Sequence, residues 1–410
     1  MPYRPMEGVR VLEVAQWTFV PSSGALLADW GADVIKIEHA VSGDAMRGIR
    51  NLGLTAANTD LAFSPILEHA NHGKRSVGLA LEHPDALDAL YRIAATSDVF
   101  VTNFLPEARR RLKIDVDDIR AVNPRIVYVR GSAHGARGPD AELGGYDNCT
   151  YWARSGSAVG VTPPGTHGLC FMPGPAFGDA SGGMNIAGGI AAALFARERT
   201  GEGSVIDVSL LSTGVWANSL AIDVALLTGE PWVWPSLEQP GMPTNPLVGA
   251  FLTSDDRYLV LNMMQPGRYW ADFCRHVGRE DLVTDPRFDS TENVMANAEA
   301  GAAILQDEIR KRPFAEWIER FRSLEGQWSP ALTSVDAGRD PQVRAAEMVR
   351  PVIDADGVER ELVVNPVQFD ERPPDLVRAP QFAEHTDEVL LGVGYSDDEI
   401  LQLKVDGAAT

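Results

Sequence analysis

The sequence predicts an α/β fold: a parallel sheet with helices on both faces, joined to a smaller α+β domain. Three observations carry that prediction. Short apolar runs rich in Val and Ile alternate with helical patterns from residue 9 to residue 130, and a parallel sheet reads this way because each crossover between its strands takes a helix. At 410 residues the chain exceeds a single small core. Beyond Gly214 the pattern changes, as Trp216, Trp232, Trp234, Pro235 and Pro240 interrupt the periodicity.

The elements follow in order. Strands are predicted at 9–14, 34–38, 76–79, 99–102 and 126–130, with helices at 22–30 and 84–95. Ligands of such sheets lie beyond the carboxyl ends of the strands, which here carry residues 15–19, His39, 103–106 and 131–135. The first strand runs into VAQWTFVPSSG (14–24) and not into G-x-G-x-x-G, so the Rossmann-like sheet lacks the dinucleotide fingerprint. Residues 159–177 read as a Pro- and Gly-rich loop, and a loop of this length is more often functional than idle; it is expected beside the active site. A strand at 258–262 and helices at 270–276 and 300–311 follow. The expected division is a large domain over 1–215, a small one over 225–330, and a segment 350–410 returning to the large one.

Composition excludes several classes. A formal charge of −21 argues against a nucleic-acid partner, because nothing in bulk would neutralise phosphates. No apolar run is long enough to span a bilayer, and the first residues lack the apolar core of a signal peptide. Cys149, Cys170 and Cys274 form no CxxC pair and suit a reducing cytoplasm, where buried packing is their expected role.

The most informative segment is GDASGGMN (178–185), followed at once by the small-residue helix IAGGIAAALFARER (186–199). Asp179 is read as sitting in a glycine-rich turn before that helix. A carboxylate there is expected to be ionised, held by backbone donors and reachable past glycines, which suits a nucleophile. A plain helix cap is the other use of Asp at such a place.

Around it, ARERTGEG (196–203) and VIDVSLL (205–211) resemble the central signature of the class III CoA-transferases, a family that also holds the 2-methylacyl-CoA racemases. GVRVLEV (8–14) and LLADWGADVIKIE (26–38) are similar to its opening strand–helix–strand. SGD (42–44), GKRSV (73–77), VTNFLP (101–106), NPRIVY (123–128), APQFAEHTDEVL (379–390) and GYSDDEI (394–400) recur in order. The resemblance covers nearly the whole chain and is weaker through 216–350.

It implies CoA transfer between an acyl-CoA thioester and a carboxylic acid, with Asp179 as nucleophile, no tightly bound cofactor or metal, and an interlocked homodimer. Gly182 and Gly183 are candidate oxyanion donors, or simply turn residues. Racemases of this type carry a His–Asp pair where this sequence has Tyr146-Asp147, and a tyrosine is a poor base at neutral pH. Tyr146 and Asp147 either position the acyl group or serve as core and helix cap. The racemase therefore stands second, and a CoA-binding protein without activity third.

For CoA the family positions correspond to Thr18, Phe19, His39, Leu79, Asn103, Phe104, Ala108 and Arg111. Arg109-Arg110-Arg111 is a candidate phosphate site or a solvated helix face. His39 departs from the arginine the transferases often carry, which gives a weaker and pH-sensitive contact. Residues 240–270 show no glycine-rich loop of the kind known in the family. Trp17, Trp152 and Phe177 hint at a bulky apolar acid.

Overall fold

The computed structural model describes residues 4–49, 63–233 and 241–410; Trp234, Pro235 and Pro240 lie outside them. The chain divides into two compact units: 1–162, 168–232 and 342–410 in the first, 163–167 and 233–341 in the second. The predicted boundary near 225 cuts a helix, Ser219–Thr228, that stays with the first unit.

The first unit is built on six parallel strands: β1 (Arg10–Val14), β2 (Asp33–Glu38), β3 (Arg75–Gly78), β4 (Val99–Thr102), β5 (Val127–Ser132) and β6 (Val205–Ser209), in the order β3-β2-β1-β4-β5-β6. The sequence reading had missed β6. Its helices include α1 (Phe19–Asp29), α2 (Pro65–Asn71), α3 (Pro84–Ala95), α4 (Pro106–Arg111), α5 (Val116–Val122), α6 (Ser157–Gly160), α7 (Phe177–Thr200), α8 (Leu210–Ala217) and α9 (Ser219–Thr228). The period-2 alternation of β1 sorts it between two cores. Leu12 and Val14 join α3 and the C-terminal helices on one face, while Val11 joins α1 and α7 on the other. Both faces are thus covered, as the near-continuous apolar strands require.

Glu13 and Lys36 break this pattern. They stand opposite each other in register on β1 and β2 and are fully buried. Gly24 on α1 leaves the room they need: a Cβ there would come within 2.2 Å of a Glu13 carboxylate oxygen.

The second unit has an antiparallel sheet, β7 (Gly241–Met242), β8 (Asn245–Leu252), β9 (Tyr258–Asn262) and β10 (Trp328–Pro330), in the order β10-β9-β8-β7. Helix Pro266–Val277 extends the predicted 270–276 at both ends, and helix Ala298–Ile309 starts and ends two residues before the predicted 300–311. Phe251, Leu259, Phe273, Trp317 and Phe321 form its core. No single described helix is long and apolar enough to cross a membrane, although the pair α8–α9, bent by 71°, passes on length and composition together.

Candidate functional site

The strand order reverses direction between β1 and β4, which makes their carboxyl ends the topological switch point where ligands of open α/β sheets bind. A cavity of about 700 Å³ opens there. Trp17 and Phe19 wall it after β1, 103–106 after β4, 131–133 with Gly135 and Ala136 at the end of β5, and 141–146 beyond. Asp179, from the first turn of α7, completes the wall.

The start of α7 differs from the sequence reading. The glycines do not form a turn before the helix; the helix begins at Phe177, capped by Ala176 in the left-handed region, and the glycines lie inside it. They are there for contact. A Cβ on Gly178 would come within 2.6 Å of the Tyr151 ring, one on Gly182 within 2.3 Å of the Phe19 ring, and one on Gly183 within 1.9 Å of the Ser22 hydroxyl. Any side chain would push α7 off α1 and the 148–153 turn. Gly182 and Gly183 are not oxyanion donors either, because as helical residues their N–H groups bond to the carbonyls four residues back.

The free N–H groups of this helix end are those of its first residues, and they serve a different carboxylate from the one expected. Asp147 Oδ2 accepts from the Gly178 N–H at 3.2 Å, and Oδ1 accepts from the Asn148 N–H at 2.8 Å. Asp147 thus caps the π-helical turn Asn148–Ala153 and is buried. The Asp179 carboxylate has no hydrogen-bond partner among the described residues. Burial pushes its pKa up to about 7, and the neighbouring charge of Asp147 pushes the same way. The expected backbone-held Asp179 is therefore corrected: Asp147 holds the donors, and Asp179, without them, titrates near neutrality.

Tyr146 is not core; it is 60% exposed and lines the cavity. Its ring meets Trp17 edge to face, with centroids 5.6 Å apart and planes at 85°. Trp17 has φ of 66°, an outlier for a bulky residue that costs about 1–3 kcal/mol. Asn103 grips the preceding residue at both ends: the Gln16 N–H donates to Oδ1 at 3.1 Å and Nδ2 donates to the Gln16 carbonyl at 2.6 Å. The Trp17 N–H donates to Asp44 Oδ1 at 3.3 Å. Asp44 is anchored in turn by Lys36, whose Nζ lies 2.9 Å from Oδ2.

Of the proposed CoA residues, Phe19, Asn103 and Phe104 line the cavity. Thr18 and Leu79 do not reach it. Thr18 is buried with its hydroxyl 3.7 Å from Met46 Sδ, and Leu79 is wholly buried in the sheet core, bridged to Ala409. His39 organises its own turn: Nδ1 accepts from the Val41 and Ser42 N–H groups, and Nε2 lies 3.6 Å from Glu82. The three arginines of α4 divide. Arg109 is buried on Asp115 and the Phe104 carbonyl; Arg110 lines the cavity beside Glu142; Arg111 is exposed, outside the cavity wall, with no ion pair among the described residues. Ala108 is half-buried on the same helix.

Trp152 and Phe177 also lie off the cavity wall; the Trp152 indole donates to the Cys170 carbonyl and Phe177 packs on Tyr151. Cys274 is buried as expected, whereas Cys149 is exposed. The sequence reading missed the Arg130–Asp207 pair on the cavity wall, held at 2.7 and 2.9 Å. It also missed the buried charges beneath Trp17. Their signal is legible: Glu13 in VLEV and Lys36 in VIKIE are charges inside buried strands, and buried charges come paired.

Residues 6–386 match the family model described as CoA-transferase family III. The chain is 30% identical over 401 residues to the cinnamoyl-CoA:phenyllactate CoA-transferase of Clostridium sporogenes, covering 97% of this chain and 96% of that one. It is 28% identical to the (R)-2-hydroxy-4-methylpentanoate CoA-transferase of Clostridioides difficile, over 97% and 98% of the two. The crystal structure of a CAIB/BAIF family protein from Brucella suis superposes with a TM-score of 0.78 at 25% identity, over 95% of this chain and 99% of that one. With the sheet, the switch-point cavity and these matches in agreement, the chain belongs to CoA-transferase family III.

Proposed function

We propose that this enzyme moves CoA from an acyl-CoA thioester to a carboxylic acid (EC 2.8.3.-), with Asp179 as covalent relay. The observation that supports it is a largely buried carboxylate, without a hydrogen-bond partner among the described residues, on the wall of the switch-point cavity. A carboxylate stripped of donors is a stronger nucleophile than a solvated one. Its oxygen attacks the thioester carbonyl, giving a mixed anhydride and CoA thiolate. The thiolate attacks the Asp179 carbonyl, giving an aspartyl-CoA thioester and releasing the donor acid. The acceptor carboxylate attacks that thioester, forming a second anhydride, and the thiolate then takes the acceptor acyl group and frees Asp179. Every step exchanges one acyl bond for another, so the cycle calls for no redox or metal cofactor. The Asp179 N–H, in the first turn of α7, is the oxyanion donor best placed for this chemistry in place of Gly182 and Gly183.

Phe19, Asn103 and Phe104 are assigned to the pantetheine side, and Arg110 and Arg111 to the CoA phosphates, Arg111 because its guanidinium is uncommitted. A homodimer, interlocked by family resemblance, is part of this reading. Supporting it, Trp216, Leu220, Leu226 and Leu227 on α8 and α9 stand 76–87% exposed, an apolar face of the kind that marks an interface. A cytoplasmic setting suits the three free cysteines.

Trapping tests the relay. After incubation with 3-phenylpropanoyl-CoA or acetyl-CoA and then hydroxylamine, mass spectrometry is expected to find a hydroxamate at Asp179. An unmodified Asp179 with CoA transfer proceeding normally would overturn the mechanism.

A further inference from the structure

We propose that Trp17 is the specificity-determining wall of the acyl site, and that the acyl groups it admits best are bulky and apolar, of the arylpropanoyl class. This rests on the acyl-transfer reading above. The first support is backbone strain. The left-handed region at φ 66° is cheap for glycine and costly for tryptophan. The fold could have relieved that cost with glycine, yet it holds the backbone here with three hydrogen bonds: the Gln16 N–H donates to Asn103 Oδ1, Asn103 Nδ2 donates to the Gln16 carbonyl, and the Trp17 N–H donates to Asp44 Oδ1. Strain retained this way at a cavity points to a functional use of the side chain.

The second support is the chemistry of the wall. Trp17 and Tyr146 form an edge-to-face pair, and Phe19, Phe104, Leu105 and Leu143 stand with them around the cavity that holds Asp179. Among the cavity's charges, Arg130 is committed to Asp207 and Arg109 to Asp115. A flat or branched apolar acyl group gains contact with such a wall, whereas an acetyl group offers it a single methyl. Asp44 acts through Trp17 and is a positioning residue; Asn103 positions Gln16 in the same way and also lines the cavity.

The test uses the full chain carrying Asp179→Ala, so that thioesters bind without turnover, and compares 3-phenylpropanoyl-CoA with acetyl-CoA by calorimetry. Trp17→Gly in that background is expected to weaken the arylpropanoyl thioester about tenfold and leave acetyl-CoA within about twofold. Asn103→Ala is expected to shift the same ratio in the same direction by less, which a loss of stability alone would not do. The unfolding temperature supplies a readout independent of ligands: Trp17→Gly, which relaxes at positive φ, should melt above Trp17→Ala, which does not. If both thioesters bind and their ratio is unchanged in Trp17→Gly, the specificity assignment falls while the transfer reading stands. If Trp17→Gly melts no higher than Trp17→Ala, the strain argument falls. Binding of neither thioester would remove the transfer reading and this inference with it.

Discussion

Two groups of carboxylates, the first fully buried and the second with Asp179 at the cavity wall, stand in opposite electrostatic states. Glu13 and Asp44 sit under the β1 loop with a full set of partners: Lys74 Nζ lies 2.8 and 2.7 Å from the two Glu13 oxygens, and Lys36 Nζ bridges Glu13 at 3.2 Å and Asp44 at 2.9 Å. Glu38 next to them takes Arg47 at 2.6 Å through both oxygens and the Ser76 hydroxyl at 2.6 Å. Burial alone would lower the Lys36 pKa, but the charges of Asp44, Glu13 and Glu38 outweigh it and hold the ammonium. For Lys74, burial wins and its pKa falls, with Lys36 adding to the effect. Among the described residues, no cation is paired with Asp147 or Asp179. Asp147 collects two backbone N–H groups, and Asp179 is left with a like charge for company. The first group fixes a backbone; the second leaves one oxygen pair without a hydrogen-bond donor among the described residues.

The largest expected effect comes from removing the unsatisfied member. Asp179→Ala should lower transfer by at least ~10⁴-fold, about 5.5 kcal/mol of transition-state stabilisation, while CoA still binds. Retention of transfer within tenfold would show that the second group is ordinary packing. Breaking the satisfied group should act on stability instead. Glu13→Gln leaves Lys36 and Lys74 facing each other in a dry interior and is expected to cost about 3–5 kcal/mol in urea unfolding. A cost below 1 kcal/mol would mean water reaches the network.

The contrast also explains what the sequence could and could not reveal. Strand positions were legible because Val, Ile and Leu alternate with helices of the 84–95 kind, and β9 at Tyr258–Asn262 agrees to the residue. The glycines of 178–183 were legible as important but not as to role, since turn glycines and helix-contact glycines share one symbol; only the approach of Phe19 and Ser22 separates them. Asp147 and Asp179 could not be assigned their states, because which of two acids takes the helix N–H groups depends on where a loop 31 residues away in sequence returns. Trp17's strain had no signal, since nothing in AQWTF marks a positive φ.

A smaller effect follows from the raised Asp179 pKa. The folded chain holds this proton up to about pH 7, whereas the unfolded chain releases it in the ordinary carboxylate range near 4. Between those values the folded state binds more protons, so ionisation removes stability as pH rises and the loss is complete above about 7. Asp179→Asn carries no such penalty. It should be more stable than the parent by ~1–3 kcal/mol at pH 8, after allowance for partial solvent access, with the gain vanishing toward pH 4. Denaturant midpoints across that range measure it, and a gain that grew on acidification would reverse the sign assigned here.

The smallest effect sharpens the comparison most. Burial is the larger cause of the Asp179 shift and the Asp147 charge the smaller. Asp147→Asn removes the charge and, with its amide oxygen turned to the Gly178 N–H, keeps that bond while giving up the one from the Asn148 N–H. The transfer rate of the parent should rise with pH through a midpoint near 7, as the nucleophile ionises. In Asp147→Asn that midpoint should fall by a fraction of a unit, so that near pH 6 the variant loses less of its own plateau rate than the parent does, a difference below ~1 kcal/mol. A midpoint that stays put would leave burial as the whole cause. A plateau that collapses at every pH, with the midpoint unmoved, would mean Asp147 touches the reacting groups and is no mere neighbour to Asp179. The two outcomes separate a charge that tunes the nucleophile from a carboxylate that takes part beside it.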